Sequence, residues 1–332
     1  MKVLAPTRID LAGGTLDIFP LYLFEGSGLT LNAAIDLFSE VELKNRPDRG
    51  IRIEAEDLDL VLEASCLDEL KSEGPLDLVV RVLKFYKPTC GLTVRIVSQV
   101  PPGSGLGGSS SLLIGLSTAL VQLEGRTFDR GQIIDFGANI ETQSIRVPTG
   151  KQDYFPAAYG GFNALWFEIQ GIRQERLELS SQFKDQLQRQ ILLGYSGASR
   201  FSGSTNWSVM KRYIDGEGET VAKMGKIRQT AIAMYESLKQ EDINQFAQCL
   251  AEEWNNRKGL AEGVTTPEIE NMFKSAEHAG ALANKICGAG GGGCFVSLVE
   301  DGCQAAVSEA ITRKGGQILT YSFAERGVQV VQ

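Results

Sequence analysis

The segment that most constrains this chain is Val100-Pro101-Pro102-Gly103-Ser104-Gly105-Leu106-Gly107-Gly108-Ser109-Ser110-Ser111. It follows a strand-like run and opens a helix-like one. Glycine lets the backbone turn its amide N–H groups inward and approach a ligand closely. A helix N-terminus adds a partial positive charge. Together these make an anion cradle, and phosphate is its usual occupant. A Walker-type loop requires Gly-x4-Gly-Lys-Ser/Thr; Gly103 and Gly108 have that spacing, but Ser109 stands at the lysine position. A dinucleotide loop requires Gly-x-Gly-x-x-Gly, which Gly103, Gly105 and Gly108 satisfy formally. Pro101 and Pro102 nevertheless separate strand from glycines, and Glu124, near the distance of a ribose ligand, closes a helix instead of a strand.

Around this loop, segments 2–12, 29–43, 51–56, 91–100 and 160–169 read as strands bounded by Gly, Pro and Asp. Helical spacing covers 109–124 and 129–146, the second with Ile133, Ile134, Gly137, Ile140 and Ser144 on one side and Pro148 beyond its end. A polar stretch at 171–189 precedes a strand at 191–195 and helical patterns at 204–214, 219–239, 242–259 and 266–280. Strands at 283–287 and 294–299 flank a second glycine run, Gly288-Ala289-Gly290-Gly291-Gly292-Gly293, and 302–323 reads as a helix then a strand. Such a run costs folding entropy, so close backbone packing or ligand approach is the expected reason for it, with a hairpin linker as the other reading. At 332 residues two domains are expected, and the change of texture divides the chain into 1–180 and 181–332.

Other classes drop out by counting. There are 33 basic and 41 acidic residues, net -8, with no basic run, so no nucleic-acid partner is expected. The single histidine, His278, lies at a helix end, where a Ser-His-Asp triad or a multi-histidine metal site cannot easily be built around it. The six cysteines show no CxxC pair and no zinc-ligand spacing. The amino-terminal apolar stretch is too short for a secretory signal, and no window is apolar enough to span a membrane. Free thiols in a reducing cytoplasm are the expectation, with no membrane partner.

Three motifs in order now stand out: Ala5-Pro6-Thr7-Arg8-Ile9-Asp10-Leu11-Ala12-Gly13-Gly14-Thr15-Leu16-Asp17, the Pro101–Ser111 loop, and Gly288–Gly293. In this the chain resembles the GHMP kinases, the family named for galactokinase, homoserine kinase, mevalonate kinase and phosphomevalonate kinase. Within the family it is most similar to bacterial heptose 7-phosphate kinases and related sugar kinases. Leu31-Asn32-Ala33-Ala34-Ile35-Asp36, Gly150-Lys151-Gln152-Asp153, Tyr159-Gly160-Gly161-Phe162-Asn163 and Ala261–Ile269 carry that likeness. The subgroup usually reads Gly-Gly-Gly-Thr-Asp in its first motif, where this chain reads Gly13-Gly14-Thr15-Leu16-Asp17.

The resemblance implies an α+β fold in two lobes, a ribosomal-protein-S5-like amino-terminal lobe and a ferredoxin-like carboxy-terminal one. It implies ATP over Pro102, Gly103, Ser104, Gly105, Leu106, Gly107, Gly108, Ser109 and Ser110, with Mg²⁺ on Ser109 and Glu141. Read alone, Glu141 belongs on a solvated helix face; the resemblance reverses this, because family members carry a metal-binding glutamate ahead of a catalytic aspartate at similar spacing. Asp153 then resembles the residue that accepts or orients the acceptor hydroxyl proton, and Arg8 the cation that balances it. Thr15, Asp17, Gly290 and Gly291 fall at substrate-facing positions of the family motifs. Lys151 and Arg200 are cations in loops where a sugar phosphate would find a second anion site, or where an ordinary polar loop would carry them.

The expected activity is ATP-dependent phosphorylation of a sugar or sugar phosphate, first D-glycero-D-manno-heptose 7-phosphate at its anomeric hydroxyl, then fucose or galactose, then mevalonate-type acceptors. A non-catalytic ATP-binding regulator is the other class, against which Glu141 and Asp153 argue. The sequence leaves open whether the protein forms a homodimer.

Overall fold

The structure is a computed structural model and describes residues 1–198 and 202–331. The chain first forms β1 (Lys2–Ala12), α1 (Leu21–Phe24), β2 (Gly28–Arg46), β3 (Ile51–Ala55), β4 (Leu60–Ala64), α2 (Asp77–Tyr86), β5 (Gly91–Ser98) and α3 (Gly108–Leu123). Next come α4 (Arg130–Ile145), α5 (Tyr154–Tyr159), β6 (Phe162–Glu168) and β7 (Gly171–Leu177). There follow α6 (Ser181–Gln190), β8 (Ile191–Tyr195), α7 (Ser202–Ile214), α8 (Thr220–Gln240), α9 (Ile243–Arg257) and α10 (Pro267–His278). The chain ends with β9 (Ala281–Ile286), β10 (Cys294–Val299), α11 (Gln304–Arg313), β11 (Gln317–Leu319) and β12 (Gln329–Val331).

Two sheets organise an α+β fold in two lobes. In the first, the order β12-β1-β2-β5-β3-β4 is extended by β6 pairing with β2 and β7 with β6. The long β2 makes this possible: its first half pairs with β6 and its second half with β5, while β1 runs along its other edge. The second sheet has the order β11-β8-β10-β9, antiparallel throughout. The chain's tail, expected in the second lobe, instead returns to the first. The Ala324 N–H donates to the Ala34 carbonyl at 2.8 Å, and β12 pairs antiparallel with β1. Backbone pairing decides this, and three residues of strand leave almost no periodicity to read.

Other elements escaped the sequence reading for reasons of their own. β7 is an edge strand carrying Arg173, Glu175 and Arg176, charges that suit an edge and hide a strand. α6 buries only Phe183, Leu187 and Gln190, so its ten residues look polar; Ser180 caps it, accepting from the Phe183 N–H at 3.1 Å. Conversely, His278 does close α10 as expected; Thr266 caps its start and Pro267 takes its first position.

α3 is the pillar of the first lobe. It is buried on several sides, packing on β1 and β2 and against α2, α4 and α5. α4 starts at a reciprocal cap between Asp129 and Gln132. Where α3 and α4 meet, a Cβ placed on Gly137 would lie 2.4 Å from Leu113 Cδ2. This contact sets the separation of the two helices, and one turn further along each, Ser109 faces Glu141. Among the described residues, no helix is long and apolar enough to cross a membrane.

Gly137→Ala therefore overpacks this contact. Its expected cost is about 1–3 kcal/mol, measured as a lower urea midpoint at unchanged m-value. An unchanged midpoint would show that Leu113 can move aside without penalty.

Candidate active site

β1 runs beneath the glycine loop and presents Arg8, which is only 2% exposed. Its guanidinium donates from Nε to Asp153 Oδ1 at 2.9 Å and from Nη1 to the Gly105 carbonyl at 2.5 Å, while Nη2 lies 2.6 Å from the same Oδ1. Asp153 immediately precedes α5, so one cation ties β1, the glycine loop and the start of a helix together. Both carboxylate contacts use Oδ1. Oδ2 is turned toward Gly107, where a Cβ would sit 3.2 Å from it. Burial pushes the Asp153 carboxyl above its ordinary value and Arg8 pulls it back.

Glu141 is built differently. Ser109 Oγ donates to its Oε1 at 2.6 Å, Ser110 Oγ to its Oε2 at 3.1 Å, and the Tyr154 hydroxyl also donates to Oε2. Burial raises its carboxyl, the three hydroxyls oppose this, and Asp153 adds repulsion. Among the described residues, no lysine or arginine forms an ion pair with Glu141. A buried carboxylate with hydroxyl donors and no protein cation leaves negative charge to compensate. A hard divalent cation fits that donor set of one hydroxyl and one carboxylate.

The loop between these groups is held by backbone contacts. Leu106 is fully buried and accepts from the Arg8 N–H at 3.0 Å, anchoring the loop in the core instead of facing the cavity. Gly103, Gly105 and Gly107 all have φ between 68° and 75°, the region open to glycine at little cost. The second glycine run lies directly against them: a Cβ on Gly105 would meet the Cys287 carbonyl oxygen at 2.4 Å, and one on Gly293 the Ser104 carbonyl oxygen at 2.6 Å. The Cys294 N–H donates to that Ser104 oxygen at 2.6 Å. Close packing is thus why the run is glycine.

A cavity of about 680 Å³ unites these parts. Its walls include Arg8, Thr15, Asp17, Pro102 to Gly105, Gly107 to Ser110, Glu141 and Asp153. Its apolar lining includes Leu58, Ile96 and three residues at the start of α2, Leu76, Leu78 and Val79, which the sequence reading did not single out because it read no helix there. Asp17 also lines it, and its Oδ2 accepts from the Gln152 N–H at 3.0 Å; burial, with repulsion from Asp153 and Asp10, pushes its carboxyl up to about 6. Gly150 leaves room for it, since a Cβ there would lie 1.8 Å from Asp17 Oδ2.

Three residues expected at the substrate, Lys151, Gly290 and Gly291, are not part of the cavity lining. Lys151 points away from the cavity and pairs with Asp135 at 2.7 Å, because its neighbours Gln152 and Asp153 take the inward positions. Gly290 and Gly291 pack on Val264 instead, the Gly291 N–H donating to the Val264 carbonyl at 2.7 Å. Arg200 lies outside the described residues. The reading also missed a buried charged cluster beside the first motif. Lys285 Nζ lies 3.0 Å from Asp10 Oδ2, and Arg257 Nη2 lies 2.7 Å from Glu253 Oε1. Lys285 did leave a signal, as a lone charge in an apolar strand beside the glycine run.

Comparison with known proteins now decides the family. The family model "GHMP kinases N terminal domain" matches residues 77–161 and "GHMP kinases C terminal" matches 234–317, together just over half of the chain. The chain belongs to the GHMP kinase family. It is an ATP-dependent small-molecule kinase. It is 29% identical to D-glycero-alpha-D-manno-heptose 7-phosphate kinase of Campylobacter jejuni, over 99% of this chain and 98% of that protein. It is also 29% identical to mevalonate kinase of Thermococcus onnurineus, over 90% of each. The structure of D-glycero-D-manno-heptose 1-phosphate kinase from Bacteroides thetaiotaomicron has the same fold, with a TM-score of 0.80 at 24% identity, covering 100% of this chain and 99% of that one.

In this kinase the buried Asp17 carboxyl has a testable linkage. Its folded value of about 6 lies above the ordinary 3.8. The folded state thus binds the proton more tightly, and the cost of ionising Asp17 grows as pH rises through that window. Asp17→Asn is expected to stabilise the protein at neutral pH by on the order of 1–3 kcal/mol. The gain should shrink as pH falls from about 6 to 4 in denaturant titrations; a gain independent of pH would assign it to something other than ionisation.

Proposed function

We propose that this kinase transfers the γ-phosphoryl group of ATP to a sugar or sugar phosphate, with D-glycero-D-manno-heptose 7-phosphate as acceptor and its anomeric hydroxyl as nucleophile. The observation behind the chemistry is the asymmetry of Asp153: Oδ1 is held twice by Arg8, and Oδ2 is left beside the glycine loop. The match to the C. jejuni heptose 7-phosphate kinase across 99% of the chain supports the acceptor.

In this mechanism the base lies against the apolar lining, and the N–H groups at the start of α3 receive the phosphates. The acceptor lies toward Asp17 and Gln152, whose buried Oε1 has no hydrogen-bond partner among the described residues and can accept from a sugar hydroxyl. Asp153 Oδ2 takes the hydroxyl proton as the acceptor oxygen bonds to the γ-phosphorus and the bond to the bridging oxygen breaks, releasing ADP. A raised carboxyl value favours that proton transfer, and Arg8 keeps the group oriented. Ser109 and Glu141 would hold Mg²⁺, which supplies neutralisation of the phosphate charge. Among the described residues Arg8 is the one cation lining the cavity; Arg200, which lies outside the described residues, is kept from the sequence reading as the candidate second anion site for a phosphorylated acceptor.

The experiment is ATP consumption across a panel of heptose 7-phosphate, free heptose, fucose, galactose and mevalonate. The heptose phosphate is expected to give the highest kcat/KM, and Arg200→Ala to raise its KM more than that of ATP. Preference for mevalonate or a free sugar would overturn the acceptor assignment. Asp153→Asn should cut kcat by about two or more orders of magnitude with ATP binding nearly unchanged. Glu141→Gln should raise the Mg²⁺ concentration needed for half-maximal rate. Near-normal kcat in the first, or an unchanged Mg²⁺ requirement in the second, removes that residue from its role.

A further inference from the structure

Arg257 is almost wholly buried, yet it does not line the cavity. It projects from the last turn of α9 in the second lobe. Nε and Nη2 lie 3.0 and 2.7 Å from Glu253 Oε1, one helical turn back. The rest of its fork crosses to the first lobe: Nη2 donates to the Gly14 carbonyl at 2.6 Å, and Nη1 to Thr15 Oγ1 at 3.2 Å. Gly14 is hemmed in as well, since a Cβ there would meet Asp10 Oδ2 at 2.9 Å and Arg257 Nη2 at 3.0 Å.

Thr15 is the unusual partner. Its φ is 75°, a left-handed conformation that a β-branched residue rarely adopts. Such a residue persists only when its surroundings over-determine it. The tight turn it makes is closed by the Leu16 N–H donating to the Gly13 carbonyl at 3.1 Å and the Ile18 N–H to the Thr15 carbonyl at 3.2 Å. Asp17 sits inside this turn. Where the similar motif has a third glycine, this chain has a side chain that resists the conformation and a hydroxyl that Arg257 grips.

We infer that Arg257 is a positioning residue: reaching across from the second lobe, it holds Thr15 in its left-handed conformation and so fixes Asp17 for the acceptor. The planar guanidinium suits this task, because one rigid fork can serve a carboxylate, a carbonyl and a hydroxyl at once. A lysine could satisfy only part of that set. The kinetic half of the inference rests on the proposed acceptor end at Asp17; the structural half does not.

The test uses the full chain as Arg257→Met, Arg257→Lys, Thr15→Gly, the Arg257→Met/Thr15→Gly double variant, and Asp17→Asn. Amide hydrogen exchange at Leu16 and Ile18 is read first. Arg257→Met is expected to speed it about tenfold or more, and Arg257→Lys by less. Thr15→Gly in the Arg257→Met background should restore slow exchange, because glycine takes the left-handed conformation unaided. With D-glycero-D-manno-heptose 7-phosphate as the probe, acceptor KM should rise about ten- to a hundredfold in Arg257→Met, recover in the double variant, and leave ATP KM within about twofold. Unchanged exchange, or exchange that Thr15→Gly does not restore, overturns the inference whatever the acceptor is. If Arg257→Met does not fold, Arg257→Lys with and without Thr15→Gly decides by the same exchange readout. An acceptor KM indifferent to Asp17→Asn would instead sink the acceptor reading and leave the exchange result to stand alone.

Discussion

The Arg8 guanidinium is the interaction on which the site depends. Buried on β1, it makes two contacts to Asp153 and one to the Gly105 carbonyl. Taking such a pair out of water is costly, and the cost is offset only when the remaining donors are also used. Arg8 satisfies that condition by bonding the glycine loop. Removing one partner of a buried pair commonly costs about 3–5 kcal/mol, because the other charge is left unpaired. One ion pair therefore fixes the height of the loop over β1, the start of α5, and the free oxygen of Asp153.

The loop itself is shaped from both sides. From below, Leu106 is sunk in the core. From across the lobe boundary, the second glycine run brings backbone against backbone, with the Cys294 N–H bonded to the Ser104 carbonyl. Side chains on Gly105 or Gly293 would occupy the space of those carbonyls. The two lobes consequently share one piece of backbone at the site.

Two carboxylates of the cavity, the buried Glu141 and the half-buried Asp153, are set apart by their partners. Asp153 has a cation and a free oxygen, the arrangement of a group that handles a proton. Glu141 has three hydroxyl donors and, among the described residues, no ion pair, an arrangement that fits a divalent cation. Their separation follows from the α3–α4 contact at Gly137 and Leu113, which carries Glu141 to Ser109, while Asp153 arrives on the loop before α5. Asp17 completes the set from the first motif, held by the Gln152 N–H and by the space at Gly150.

What the sequence determined by itself was local. Glycines and serines at a helix start marked the phosphate loop, helical spacing marked 129–146 and 266–280, and the three ordered motifs marked the family. Those signals lie within a few residues of one another, where chain geometry alone translates them into structure. Tertiary structure decided the rest, because it depends on pairings across the chain. Lys151 and Asp153 are two residues apart, yet one turns out to Asp135 and the other in to Arg8. The apolar lining of the cavity brings the start of α2 together with Leu58 and Ile96, and the tail joins β1 through backbone bonds that no side-chain pattern announces. The burial of Arg257 against Glu253 and Thr15 was likewise invisible, since an arginine four residues after a glutamate reads as a surface pair until another lobe covers it.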